Sequence, residues 1–90
     1  MSRYSLKPLP PRADLFEVAV GWDAGLSTYF VIVFGVPEIA CDPEVLLWRG
    51  RTFGEIYAVA ELLDIAREFA EVDPGLPYRL NMDGSAGPAG

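Results

Sequence analysis

Two dipeptides carry the densest chemistry in this chain: Trp22-Asp23 and Trp48-Arg49, each an indole beside a charge. Brought to one region, two apolar rings, a carboxylate and a guanidinium would line a pocket for a small molecule, mostly apolar with a few polar groups. The plainer use of the same residues is structural, with both indoles as core or interface anchors and the charges closing strand ends, and it is the favoured one here. Arg49-Gly50-Arg51, just ahead of a helix signal, could hold an anion at a helix N-terminus; pairing of Arg51 with a loop acid is the simpler expectation.

Catalysis lacks its usual tools. The chain has no histidine, so there is no Ser-His or Cys-His pair and no imidazole metal ligand. Its single cysteine, Cys41, precedes Asp42, and a neighbouring carboxylate raises a thiol pKa. Glu38, Asp42 and Glu44 in the loop "GVPEIACDPEV" are oxygen ligands of the type a hard cation takes, but they lack calcium-loop spacing and read as solvated acids. No catalytic residue, metal site or cofactor is expected, and an enzyme is the lesser reading.

Ninety residues with 51% hydrophobic content make one small domain, and a domain of that size buries only about 60% of its unfolded surface. So much apolar material in so thin a core predicts exposed apolar patches. The net charge of −6 argues against nucleic acid and anionic membranes as partners. Arg3, Lys7 and Arg12 reverse the sign locally, but three phosphate contacts from an acidic body would bind weakly. The opening "MSRYSLKPLPPR" has no apolar signal core, and no apolar run reaches bilayer length. A soluble, cytoplasmic, bacterial protein is the expectation.

The elements that must position these residues follow from periodicity. Residues 1–12, with Pro8, Pro10 and Pro11, read as an extended basic arm, residues 13–82 as a single domain, and residues 83–90, "DGSAGPAG", as a disordered tail. Leu15–Trp22 and Ser27–Gly35 alternate as strands around the Asp23-Ala24-Gly25 reversal, and Val45–Arg49 makes a third. "TFGE" at Thr52–Glu55 has the form of a capping box. Phe53, Ile56, Val59, Ala60, Leu63, Ala66 and Ala70 follow at helical spacing until Asp73-Pro74-Gly75 stops them. The expected fold is α+β: a three-stranded antiparallel β-meander with one long helix on one face (β-β-β-α), and either a short fourth strand or a turn after the helix.

One helix covers one face. Tyr29, Val31 and Val33, with Leu15 and Ala19, are expected on the other, where a second copy of the chain would cover them. The leading functional reading is therefore a non-enzymatic homo-oligomeric interaction or binding domain. The alternative is a small-molecule binder, an enzyme included, with a pocket formed by Trp22, Asp23, Trp48 and Arg49 at or near a subunit interface.

"VGWDAGLSTYFVIVF" followed by "LLWRG" resembles a group of small uncharacterised bacterial proteins that share a Gly-Trp/Tyr-Asp, a Leu-x-Thr-aromatic-Phe and a Leu-Trp at similar spacing. The resemblance spans residues 18–49 and leaves out the arm. It implies that Trp22, Asp23, Thr28, Phe30 and Trp48 belong to a shared hairpin core, and it implies no activity.

Overall fold

The computed structural model describes residues 2–36 and 44–86. Glu38, Cys41 and Asp42 lie outside them. The chain is α+β, with a four-stranded antiparallel sheet in the order β1 (Tyr4–Leu6), β2 (Leu15–Asp23), β3 (Thr28–Gly35), β4 (Glu44–Arg49). Two helices, α1 (Val59–Ala66) and α2 (Leu76–Ala86), pack on one face. No helix among the described residues is long and apolar enough to cross a membrane.

The arm supplies the fourth strand, where three strands were expected. Tyr4 and Leu6 face Val20 and Val18 across β2, and Ser5 faces Ala19, so the arm alternates like any half-buried strand. The prolines that suggested an extended arm begin only after this strand. Pro8, which has no amide to offer a ladder, forms an isolated bridge with Ala70.

The single long helix is replaced by two short ones, for a reason visible around Thr28. Gly54 and Gly50 have φ of +63° and +93°, outside the helical region. The backbone between them and α1 bonds to the β2–β3 hairpin. The Gly54 amide donates to the Leu26 carbonyl (2.9 Å), and the Tyr29 amide donates to the Ile56 carbonyl (3.0 Å). The Ile56 amide donates to the buried Thr28 hydroxyl (2.8 Å). These tertiary bonds override the local capping signal, and α1 begins at Val59. Its buried stripe, Val59, Leu62, Leu63 and Ala66, keeps much of the expected spacing, while Phe53 and Ala60 face solvent.

Asp73-Pro74-Gly75, expected as a stop, starts α2. Its carboxylate accepts from the Gly75 amide (3.0 Å) and its carbonyl accepts from the Leu76 amide (2.9 Å). Leu76 and Leu80, one turn apart, are buried, and the Tyr29 hydroxyl donates to the Leu80 carbonyl (3.1 Å). Residues 83–86, expected in a disordered tail, complete this helix, and the Tyr4 hydroxyl donates to the Asp83 carboxylate. Residues 76–82, expected as a short edge strand or a turn, are helical instead.

The largest correction concerns which face is open. Val18, Val20, Trp22, Tyr29, Val31 and Val33 all lie under the helices in one core with Ile56, Leu62, Leu76 and Leu80. A bulge between Leu15 and Glu17 turns Leu15 into the same core. Tyr29, Val31, Val33 and Leu15, expected to wait for a second copy, are thus covered within the chain. Of that set only Ala19 lies on the opposite face, with Phe30, Ile32, Phe34 and Trp48, as its pairing with Ile32 and that of Ile32 with Trp48 require.

Candidate functional site

Because successive side chains alternate across the sheet, the four residues of the expected pocket divide between its faces. Trp22 stands on the helix side, buried, with its ring edge-on to Tyr29 at 4.9 Å between centroids and 63° between planes. Its Nε1–H has no acceptor among the described residues. Arg49 also stands on that side of its strand, and its Nε donates to the Glu55 carboxylate at 2.8 Å. Asp23 and Trp48 remain, and the open face does bring them together.

There a cleft of about 570 Å³ has Phe30, Ile32 and Trp48 as its apolar floor and Arg3, Asp23 and Arg51 at its rim. Each wall has a local cause. Trp48 lies directly across from Ile32 in the β3–β4 ladder, so both rise from the same face. Gly50 turns the chain over that ladder: a Cβ there would come within 2.2 Å of the Tyr29 carbonyl oxygen, and its positive φ would strain any other residue. The turn brings the Arg51 guanidinium over the Trp48 ring, 4.5 Å from the centroid. Asp23 is held by its own hairpin turn, where Oδ1 accepts from the amides of Gly25 (2.9 Å) and Leu26 (3.2 Å). Arg3 reaches the cleft from just before β1, 3.6 Å from Glu17 and 5.8 Å from the Phe34 ring centre.

Behind the cleft sits the most strongly shifted carboxylate. The Arg49 guanidinium, the Gly50 and Arg51 amides and the Thr52 hydroxyl hold Glu55 down to about 2. Neither bond of the expected capping box forms: the Thr52 hydroxyl donates to Glu55 Oε1 (3.1 Å), the Glu55 amide donates to the Thr52 carbonyl (3.2 Å), and the turn they close leads into no helix. No helix starts at Arg51, so the anion site imagined there has no helix dipole behind it.

Chemically the cleft offers a ring to stack on, two guanidinium groups to meet an anion, and one carboxylate. Phe30 and Ile32 were legible as strand residues, but their role as a floor depends on which face the helices take. Arg3 was hidden inside a segment read as an extended arm. Comparison with models of known protein families, with curated proteins and with solved structures gave no match for this chain.

Proposed function

We propose that the chain is a non-enzymatic interaction domain that works as a homo-oligomer. The observation that carries this reading is the exposure of large apolar side chains on and beside the uncovered part of the sheet. Val45, Leu46 and Trp48, all on β4, keep 47%, 49% and 45% of their surface in solvent. A small domain that already buries a continuous core beneath its helices gains little by displaying these residues to water, whereas a second copy would remove them from it. The absence of histidine and the structural engagement of Arg49, Glu55 and Asp23 in local contacts support a binding role over a catalytic one. Light scattering of the full chain over a wide concentration range tests it. A mass of two chains or more is expected; a single-chain mass throughout overturns the reading.

A second reading rests on the cleft itself. The Arg51 guanidinium stacked on Trp48, with Arg3 across an apolar floor, suits a small planar molecule bearing a carboxylate. Binding must raise the melting temperature by mass action, so a panel of small aromatic carboxylates can be screened by thermal shift. Hits whose shift survives Trp48→Ala and Arg51→Gln would place the ligand elsewhere.

A further inference from the structure

The two edges of the sheet are unlike. Just past β1 the chain is tied to the α1–α2 connection: the Glu71 amide donates to the Lys7 carbonyl (3.1 Å), and the Leu9 amide donates to the Phe69 carbonyl (3.0 Å). Beyond β4 no further strand pairs among the described residues. Native proteins commonly blunt such an edge with charges or a bulge. β4 has both, but arranged in a way that suits one partner.

Val31 pairs with Arg49, Val33 with Leu47, Phe34 with Val45 and Gly35 with Glu44, which leaves Leu46 as the extra residue of a bulge. Directly opposed residues share a face. Leu47, Arg49 and Glu44 therefore take the helix side with Val33, Val31 and Gly35, while Val45 and Trp48 take the open side with Phe34 and Ile32. The Leu46 side chain comes to 3.1 Å from where a Cβ on Gly35 would stand, so it too belongs to the helix side. From Glu44 to Arg49 the order is helix, open, helix, helix, open, helix, the same read in either direction.

That symmetry has a consequence. Two antiparallel copies of β4, related by a two-fold axis normal to the sheet, set Glu44 opposite Arg49 of the second copy, Val45 opposite its Trp48 and Leu46 opposite its Leu47. Every pair then falls on one face. A strand without the bulge, paired in this register, would set each residue opposite one pointing the other way. The backbone agrees. The Tyr29 amide turns away from β2 toward Ile56, so by alternation Val31 and Val33 turn toward β4, and their partners Arg49 and Leu47 turn back toward them. Val45 and Trp48 are left with their amides and carbonyls outward, and in this register they are the residues that bond to each other across the axis.

We infer that β4 pairs antiparallel with β4 of a second copy, joining the two sheets into one. The occupant is a second copy because the edge complements itself in charge, apolar pairing and backbone direction at once. A parallel copy would set Glu44 beside Glu44. Pairing sets the three exposed apolar residues of β4 against the second copy. This inference rests on the homo-oligomer reading above and specifies its interface.

Sedimentation of the full chain alongside Val45→Pro and Leu46→Lys tests it. Proline at 45 removes an amide that faces away from β3, so the fold should persist by circular dichroism while the dimer dissociates. Lysine at 46 alters an exposed side chain and puts a charge into the apolar pairing, so it should also give a folded monomer. If the full chain is a dimer and both variants are folded monomers, edge pairing stands. A folded Leu46→Lys that remains a dimer overturns it, whether or not Val45→Pro folds, and leaves a homo-oligomer built on another face. A full chain that is monomeric at every concentration overturns edge pairing and the homo-oligomer reading together.

Discussion

The two faces of the sheet are made from the same kinds of residue and used in opposite ways. On the helix side Val18, Val20, Val31 and Val33 are completely removed from solvent. On the open side Ile32 and Phe34 are half-buried and Trp48 is exposed, with Arg51 stacked on it. Hydrophobicity alone does not say which face becomes core. That is decided by where the two helices and the arm are tied down. The difference teaches that the helix side should govern folding, and the open side with its β4 edge should govern association.

Substitutions separate these roles. Leu62→Ala, fully buried on the helix side, should cost about 2–5 kcal/mol of unfolding free energy by removing side-chain volume from a closed core. In a domain with only about 5–15 kcal/mol to lose, chemical denaturation will show it plainly. Thr28→Val keeps the shape but leaves the buried Ile56 amide without an acceptor, an expected loss of about 1–3 kcal/mol. Trp48→Ala should cost about 1 kcal/mol or less in the stability of a single chain, because it removes an exposed side chain and one cation–π contact. The same change should weaken self-association measurably by sedimentation. If Trp48→Ala destabilises the fold as much as Leu62→Ala, the division between the faces is wrong.

How much of this was legible in the sequence differs element by element. The β2–β3 hairpin, the third strand of the meander and the buried stripe from Val59 to Ala66 follow from periodicity, because alternation and helical spacing are local properties. The arm was misread because the prolines after β1 outweighed the short Tyr4-Ser5-Leu6 alternation, and three residues are too few to signal a strand without their partner. α2 was missed because "YRLNMDGSA" has the composition of a linker, and its burial depends on Tyr29 and Tyr4 reaching its backbone and its Asp83. The cleft was half legible. Asp23 and Trp48 do line one cleft, but their neighbours Trp22 and Arg49 must lie on the other face once both pairs are in strands. Where a strand is regular, as at both of these pairs, adjacent residues point to opposite sides of the sheet.

α2 offers a test of the comparison in which the sign of the effect decides. Alanine is a better helix former than glycine by about 1 kcal/mol, so Gly84→Ala in an undocked helix would be neutral or stabilising. Docked as observed, its Cβ would come within 2.1 Å of the Tyr29 hydroxyl oxygen, which is held by the Leu80 carbonyl in a buried site. Overpacking of that kind costs about 1–3 kcal/mol, enough to exceed the propensity gain. A lowered melting temperature is expected; a raised one would mean that α2 does not seal the helix side.

The smallest effect lies at the seam between the faces, where Glu55 ties Arg49 on the helix side to the turn that carries Arg51 to the open side. Its carboxyl is held down to about 2, first by the Arg49 guanidinium and then by the Gly50 amide, against an ordinary value of 4.5. A carboxyl depressed by folding stabilises the native state fully above its unfolded value, and that contribution fades as pH falls from 4.5 toward 2. Glu55→Gln should therefore lower the melting temperature at pH 7, and the gap between wild type and variant should close across that interval. Comparing the two proteins at each pH isolates Glu55 from the other titrating acids. The ion pair is partly exposed, with side-chain exposures of 44% and 23%, so solvent screening should keep the shift below that of any core substitution. A gap that stayed constant from pH 7 to pH 2 would show that Glu55 acts through packing instead of charge, and the seam would then belong to the core.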